Sequence, residues 1–138
     1  MYVIVVGGGL VARSLVSLAI EDGHGVAVIE EDEEQARAML KEYDEVEVFQ
    51  ANIAKGRILD EAGGKKADVL FATTGDDAAN LMAMTLGKEK GIKHLITMLS
   101  NYEHKDMFEK LGFQVLIDPE KLIAKQLFSF VEKSEEKQ

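Results

Sequence analysis

The stretch that decides the fold is the N-terminal segment, residues 1–30, MYVIVVGGGLVARSLVSLAIEDGHGVAVIE. Tyr2 to Val6 is a short run of mostly β-branched residues, which predicts a buried strand. Three glycines follow at once, then a segment of helical period, and then a second apolar run from Val26 to Ile29 that ends on Glu30. This order is the layout of a dinucleotide-binding βαβ unit.

Each part of such a unit has a physical role. Gly7 permits the tight turn after the strand, Gly9 lets a pyrophosphate approach the backbone, and Ala12 is small enough for close helix–strand packing. The free N–H groups and the dipole at the helix N-terminus favour phosphates. Glu30, 18 residues beyond Ala12, is placed to accept hydrogen bonds from an adenosine ribose and would repel a 2′-phosphate. NAD or an adenine nucleotide is therefore favoured over NADP. The alternative is that the glycines only form a flexible turn.

Composition limits the classes of function. A chain of 138 residues with 46% apolar and 30% charged residues predicts one globular domain. The net charge of −9 argues against nucleic acid as a partner. The absence of cysteine excludes disulfides and thiolate metal sites. With no signal peptide and no apolar run of membrane-spanning length, we expect a cytoplasmic domain that does not insert into a membrane.

After Glu30 the chain continues to alternate between strand and helix patterns. We predict further strands at 45–50, 68–72, 94–98 and 114–117, and helices at 32–42, 55–62, 76–90, 103–111 and 120–131. This alternation predicts an α/β fold, a Rossmann-type doubly wound parallel sheet of six strands in the order 3-2-1-4-5-6, with helices on both faces. The ligand crevice then lies at the C-terminal ends of the first and fourth strands. We predict one domain over residues 1–131 and a frayed charged tail over 132–138.

The apolar positions of two helices predict which residues face the core. In the second helix we expect Ala36, Met39 and Leu40 to face inward. Asp76 or Asp77 is expected to cap the fourth helix, whose packed faces are expected to include Leu81, Met82, Met84, Thr85 and Leu86. We also expect the set Met82, Met84, Met98 and Met107 to fill the core.

Several motifs together are more specific than the glycine turn alone. They are VVGGGLVARSL at 5–15, GHGVAVIE at 23–30, LDEAG at 59–63 followed by AD, TGDDAANL at 74–81, and LGF at 111–113 followed by VLIDPE at 115–120. With them the chain resembles the TrkA-N family, also called KTN or RCK N-terminal domains, over nearly all of residues 1–131. These are nucleotide-sensing regulatory domains of potassium channels and transporters.

The resemblance implies a non-catalytic switch that binds NAD(H), or alternatively ATP, ADP or AMP. It also implies a homodimer or larger ring on a membrane potassium channel or transporter. The site residues that it implies are Gly7, Gly9, Leu10, Val11 and Ala12 around the pyrophosphate, Glu30 and Glu31 near the ribose, Asn52 and Ile53 beside the adenine, and Thr73, Thr74 and Gly75 along the crevice. For Asn80, ligand contact and a local packing role remain equally open.

Two positions depart from the family pattern. Ala51-Asn52-Ile53-Ala54 stands where G-D-A-T is common, so an amide replaces a carboxylate at Asn52. Met98 stands where an arginine is common, and it cannot supply that cation. These departures keep one alternative open, a nucleotide-sensing domain fused to or regulating a non-channel enzyme such as a phosphoesterase. A separate alternative is the NAD-binding half of a truncated dehydrogenase, and we expect the lack of a substrate domain and the TGDDAANL segment at 74–81 to argue against it.

Other constellations predict neither a catalytic residue nor a metal site. The acidic run 30–34 is better explained by the positive end of the second helix than by a cation, because contiguous helical residues point in different directions. His24, His94 and His104 lack partners at metal-ligand spacing. The last helix carries Leu122, Ile123, Leu127, Phe128, Phe130 and Val131, for which we weigh a dimer or interdomain contact against packing onto its own sheet.

Overall fold

The computed structural model describes residues 1–136. Over these residues the chain forms six strands and six α-helices in regular alternation. The strands are β1 Tyr2–Val6, β2 Gly25–Glu30, β3 Val46–Gln50, β4 Val69–Ala72, β5 His94–Leu99 and β6 Gln114–Ile117. The helices are α1 Leu10–Glu21, α2 Glu33–Glu42, α3 Ile58–Glu61, α4 Asp77–Glu89, α5 Lys105–Lys110 and α6 Pro119–Glu136.

All strand pairs are parallel, and the sheet order is β3-β2-β1-β4-β5-β6. The prediction of a doubly wound Rossmann-type sheet is therefore confirmed. The chain runs outward from β1 to β3, returns to the centre, and runs outward again from β4 to β6. The C-terminal ends of β1 and β4 lie side by side at this reversal, since Val6 pairs with Ala72. A crevice at this point is the position where such sheets bind ligands.

The central strands are buried on both faces, so their sequences are almost continuously apolar. On one face Val3, Val5, Val26 and Val28 pack with Ala12, Val16 and Met39 of the first two helices. On the other face Ile4, Val6, Ala27 and Ile29 pack with residues of α3, α4 and α5. Ala12 is 1% exposed, so a small residue is required where α1 crosses β1.

Four residues that were predicted to face the core are exposed: Leu40, Met82, Thr85 and Met107. Leu40 is 52% exposed because it lies about 100° around α2 from Met39, the residue at the centre of the buried stripe. Met82 and Thr85 are exposed because α4 packs through small residues and one amide instead. The buried residues of α4 are Asn80, Ala83, Met84 and Gly87. Of the four methionines assigned to the core, Met84 is fully buried, Met98 is half-buried, and Met82 and Met107 are exposed.

The ends of three helices also differ from prediction. The segment 55–62 is a loop followed by only one helical turn, α3. The segment 103–111 begins with a 3₁₀ turn at Tyr102–His104 before α5. The last helix, α6, continues to Glu136, so most of the predicted frayed tail is helical and its last two residues lie outside the described range. No helix within residues 1–136 combines the length and apolarity needed to cross a bilayer.

Met84 and Met82 offer a matched test of how α4 faces the sheet. Met84→Ala should lower the free energy of unfolding by about 2–5 kcal/mol, because it opens a cavity under a side chain that is 0% exposed. Met82→Ala should change it by about 0.5 kcal/mol or less, because Met82 lies on the solvent side. Urea unfolding followed by circular dichroism measures both. Equal losses in the two variants would contradict this orientation of α4.

Candidate functional site

A cleft of about 360 Å³ lies at the C-terminal ends of β1, β2 and β4. This volume is within the range of small-molecule sites. The residues that line it are Val6, Gly7, Gly8, Gly9, Ile29, Glu30, Glu31, Gln35, Ala51, Asn52, Ile53, Thr73, Thr74, Gly75, Asp76 and Ala79. The cleft is thus the crevice that the sheet order predicts.

The turn after β1 depends on Gly7. Its φ of +121° is strained for any residue with a side chain. A Cβ at this position would lie 2.5 Å from Oγ1 of Thr73, which itself donates a hydrogen bond to the carbonyl of Val6 at 3.0 Å. The Gly7 N–H donates to the carbonyl of Ile29 at 2.9 Å. Gly7 therefore holds the ends of β1, β2 and β4 together at the base of the cleft.

The floor beside this turn is the N-terminus of α1. Gly9 is the N-cap, and since glycine has no side chain, it makes no capping hydrogen bond to the first turn. The first N–H groups of a helix have no carbonyl partner within it, so those of Leu10 and Val11 are available to an anion. A Cβ at Gly9 would meet no protein atom within 4 Å. The space beside Gly9 is therefore open, and the protein's own packing does not require a glycine there.

Glu30 lies at the end of β2, facing the glycine turn. Burial raises the pKa of its carboxyl group, while hydrogen bonds from the backbone of Asp32 and Gly8 act in the opposite direction. The Asp32 N–H donates to Oε1 of Glu30 at 2.8 Å. A Cβ at Gly8 would lie 2.9 Å from Cγ of Glu30. The middle glycine is therefore needed to seat this carboxylate, a role that the sequence pattern did not reveal.

The outer wall of the cleft is built from the segments after β2 and β3. Nδ2 of Asn52 donates to Oε1 of Glu31 at 3.3 Å, and Oδ1 of Asn52 accepts from the Ala54 N–H at 2.8 Å. Ile53 is 5% exposed beneath them. The amide that departs from the family pattern is thus part of a hydrogen-bonded wall of the cleft.

Asn80 is buried, and its hydrogen-bonding capacity is used within the protein. Its Oδ1 accepts from the Thr74 N–H at 3.2 Å and from Oγ1 of Thr74 at 2.6 Å. Its Nδ2 donates to the carbonyls of Thr74 and Met98, each at 3.0 Å. A primary amide has two donor and two acceptor positions, and all four are occupied. Of the two roles left open for Asn80, this geometry favours the structural one, which is to hold the loop after β4.

The sequence left open whether Asp76 or Asp77 caps α4, and the structure gives the two residues different roles. Asp76 is the N-cap of α4 and accepts from the Ala78 N–H at 2.9 Å. The carboxylate of Asp77 accepts from the Ser100 and Asn101 N–H groups and contacts Nδ1 of His104 at 2.9 Å. Burial raises the pKa of Asp77, but these hydrogen bonds outweigh it and the net shift is downward. Asp77 therefore ties the start of α4 to the loop after β5.

Nine of the thirteen residues predicted for the site line the cleft: Gly7, Gly9, Glu30, Glu31, Asn52, Ile53, Thr73, Thr74 and Gly75. Leu10 lines a neighbouring hollow with Gly8, Gly9 and Arg13, which we call the outer hollow. Val11 lies at the start of α1, while Ala12 and Asn80 are buried behind the walls. The prediction missed seven lining residues. Val6, Gly8, Ile29 and Ala51 adjoin predicted positions, while Gln35, Asp76 and Ala79 reach the cleft from the first turns of α2 and α4. The sequence signal that could have identified these last three residues is their position in the first turn of a helix that follows a strand end at the cleft.

Among the described residues, no group of three or more histidine, aspartate or glutamate side chains is arranged to hold a metal ion. Met98 lies in β5 and does not line the cleft; its carbonyl accepts from Asn80. The recognition groups that the cleft offers are therefore backbone amides, carboxylates, hydroxyls and the two side-chain amides of Gln35 and Asn52.

Replacing Asn80 tests its structural role. Asn80→Ala should lower the free energy of unfolding by about 3 kcal/mol, because it leaves buried carbonyl and hydroxyl groups without partners and opens a small cavity. Asn101→Ala is the matched control, since Asn101 is exposed and caps only the 3₁₀ turn; it should lose about 1 kcal/mol. Denaturant unfolding measures both. A loss at Asn80 no larger than that of the control would contradict the proposed role.

The family of this chain follows from comparison with known proteins. The sequence profile of the TrkA-N domain matches residues 3–119. The Trk system potassium uptake protein TrkA homolog of Methanothermobacter thermautotrophicus is 39% identical over 124 residues, which is 90% of this chain and 57% of that protein. The chain thus spans little more than half of that relative's length.

Two solved structures share the fold. The NAD(P)-binding domain of an exopolyphosphatase-related protein from Archaeoglobus fulgidus superposes with a TM-score of 0.78 at 20% identity, covering 96% of this chain and 97% of that one. The AMP-bound Kef CTD of Shewanella denitrificans gives 0.77 at 17% identity, covering 95% and 82%. At these identities the likeness shows the fold alone. On the profile match over most of its length, the chain belongs to the TrkA-N domain family.

Proposed function

We propose that this chain binds an adenine nucleotide, NAD(H) or alternatively ATP, ADP or AMP, and acts as a regulatory domain of a potassium channel or transporter. The observation that carries the proposal is the cleft of a TrkA-N chain in which the α1 N-terminus and the Glu30 carboxylate face one space. The TrkA homolog of Methanothermobacter is named for potassium uptake, and the Kef CTD binds AMP.

The geometry of the cleft supports a proposed role for each of its sides. The amides of Gly9, Leu10 and Val11 hold the phosphates, and Glu30 accepts the ribose hydroxyls. Glu31, Asn52 and Ile53 form the side on which the adenine lies. Thr73, Thr74 and Gly75 line the path of a second nucleoside, held in place by Asn80. We assign no catalytic residue, and in the proposed function the output is conformational.

A second candidate is a nucleotide-binding domain attached to an enzyme. The likeness to the NAD(P)-binding domain of an exopolyphosphatase-related protein favours its consideration. The same cleft serves in either case, so the two candidates differ in the partner and not in the ligand. The curated relative named for potassium uptake favours the transport role.

For a ligand to act as a switch, it must bind two arrangements of the domain or its assembly with different affinity. We propose that α6 carries the contact through which such arrangements differ. No residue of α6 is buried, although the helix is 18 residues long. Leu122, Ile123, Leu127, Phe128, Phe130 and Val131 are 49–66% exposed and form one wide apolar face. An exposed apolar face of this size supports an interface, for which we propose a second copy of the chain or an adjoining domain as the partner.

Nucleotide binding is tested by thermal stability. NAD at a hundredfold excess over its dissociation constant should stabilise the native state by about 2.7 kcal/mol, whereas NADP should give a smaller shift because Glu30 repels its 2′-phosphate. Glu30→Gln should weaken NAD binding about tenfold, because a hydrogen bond to a charged acceptor becomes a neutral one. Thermal unfolding with NAD, NADP, ATP, ADP and AMP measures the stabilisation, and calorimetric titration with the same nucleotides measures the dissociation constants. No binding of any nucleotide, or a preference for NADP, would contradict the proposal.

The α6 interface is tested by placing charge on its apolar face. Phe128→Glu should lower the sedimentation mass toward that of a 15.2 kDa monomer, because a buried carboxylate is unfavourable in an apolar contact. Lys125→Glu is the control: it changes the charge by more, but on the polar side of the same helix, and should leave the mass unchanged. If Phe128→Glu changes neither the sedimentation mass nor the melting temperature, α6 is not the interface.

A further inference from the structure

The charges around the cleft distinguish between the nucleotides that the fold allows. Its sixteen lining residues include three acids, Glu30, Glu31 and Asp76, and none of them is lysine, arginine or histidine. Glu30 and Glu31 lie on the β2 side, and Asp76 lies on the opposite side at the start of α4. A ligand in this cleft therefore meets negative charge from both walls.

Arg13 is the cationic residue nearest in sequence to the glycine turn, but its side chain does not offset the negative charge of the cleft. Arg13, one turn into α1, lines the outer hollow beside Gly9 and not the cleft. Its Nε donates to Oε2 of Glu42 at 2.8 Å, so its charge is paired with a carboxylate. The first residue of α1 is Leu10, which is 81% exposed and apolar. Phosphates in the cleft can thus be held by backbone N–H groups, with no side-chain cation among the lining residues.

Helix N-terminal amides bind phosphate groups, and in a sheet of this order a dinucleotide places its diphosphate there with a nucleoside on each side. A nucleoside triphosphate carries more negative charge and concentrates it at one end of the molecule. In the cleft that end would lie toward the β4 side, near the carboxylate of Asp76, with no cation to offset it. Like charges in a partly enclosed cleft repel more strongly than in bulk water.

We infer that the cleft selects a dinucleotide joined by a diphosphate, such as NAD, over a nucleoside triphosphate, and that Glu31 and Asp76 determine this selectivity. The inference depends on the proposed nucleotide-binding function and narrows its ligand class. Glu30 contributes to the same field, but it also recognises ribose in either ligand. Glu31 on the adenosine side and Asp76 on the β4 side contribute negative charge to the cleft without contacting the phosphates in the proposed pose, and each can be neutralised without removing the Glu30 contact.

The experiment measures dissociation constants of NAD and ATP for the wild type, Glu31→Gln, Asp76→Asn and the double variant, with and without Mg²⁺. Asparagine is as good an N-cap as aspartate, so Asp76→Asn keeps α4 intact. Glu31→Gln keeps an oxygen acceptor for Asn52. Glu89→Gln, at the far end of α4 and outside the cleft, is the control for net charge. Far-UV circular dichroism confirms that each variant is folded.

At low ionic strength the wild type should bind NAD at least about tenfold more tightly than ATP. Glu31→Gln and Asp76→Asn should each lower the ratio of the ATP to the NAD dissociation constant by about threefold, mainly by strengthening ATP binding. Glu89→Gln should leave this ratio unchanged. Raising the salt concentration should narrow the ratio in the wild type.

The possible outcomes distinguish failure of the selectivity inference from failure of the proposed nucleotide-binding function. If neither nucleotide binds, the nucleotide-binding proposal and the inference both fail. If ATP, with or without Mg²⁺, binds as tightly as NAD, the inference fails while the nucleotide-binding function stands. If NAD is preferred but neither variant narrows the ratio, the selectivity does not come from these carboxylates, and the inference is also overturned.

Discussion

The turn at Gly7 is the constraint on which the rest of the structure depends. The chain must leave β1 with a positive φ while Thr73 approaches within a distance that excludes a Cβ. Both requirements are met only by glycine. Because the same residue donates to the carbonyl of Ile29, the ends of three neighbouring strands converge there. The cleft, the position of Glu30 and the start of α1 all follow from this convergence.

The cleft is also linked to the second half of the sheet. Asn80 donates to the carbonyl of Met98, and Asp77 holds the segment that follows β5. From β5 the connection continues through Leu99, whose carbonyl accepts from the Asp118 N–H at the start of α6. Asp118 has a positive φ of 53°, and its carbonyl accepts from the first turn of α6. The loop that would contact a nucleotide and the helix proposed as an interface therefore belong to one continuous hydrogen-bonded framework. Coupling between them requires that the ligand and the interface contact favour the same arrangement of this framework.

The sequence predicts the sheet better than it predicts the faces of the helices. Strand order follows from β–α alternation and the handedness of crossovers, which hold nearly everywhere. Helix faces are harder, because the largest apolar residues are not always those that pack. In α4 the buried face is formed by Asn80, Ala83, Met84 and Gly87. A prediction that gives little weight to small or polar residues such as Ala83, Gly87 and Asn80 places Met82 and Thr85 inward instead. Close approach of α4 to the sheet favours small residues there, and this depends on tertiary distances that a single sequence does not state.

In the candidate site, too, positions at strand ends were easier to predict than positions on helices. Residues assigned by their place at strand ends, such as Glu30 and Thr73, line the cleft. Gln35, Asp76 and Ala79 were missed because they enter the cleft from the first turns of α2 and α4, whose angles to the sheet depend on packing. The role of Gly8 was also hidden, because a glycine with an ordinary φ is required only by the neighbouring Glu30 side chain.

The most direct test of nucleotide binding in this cleft is a two-dimensional ¹H–¹⁵N NMR titration of the domain with NAD. The account predicts that the largest shifts occur at the amides of Gly9, Leu10, Val11, Glu31 and Thr74, with smaller changes at Ser100 and Asn101. Shifts confined to α6 or to the outer hollow beside Arg13, or no shifts at millimolar NAD, would contradict it.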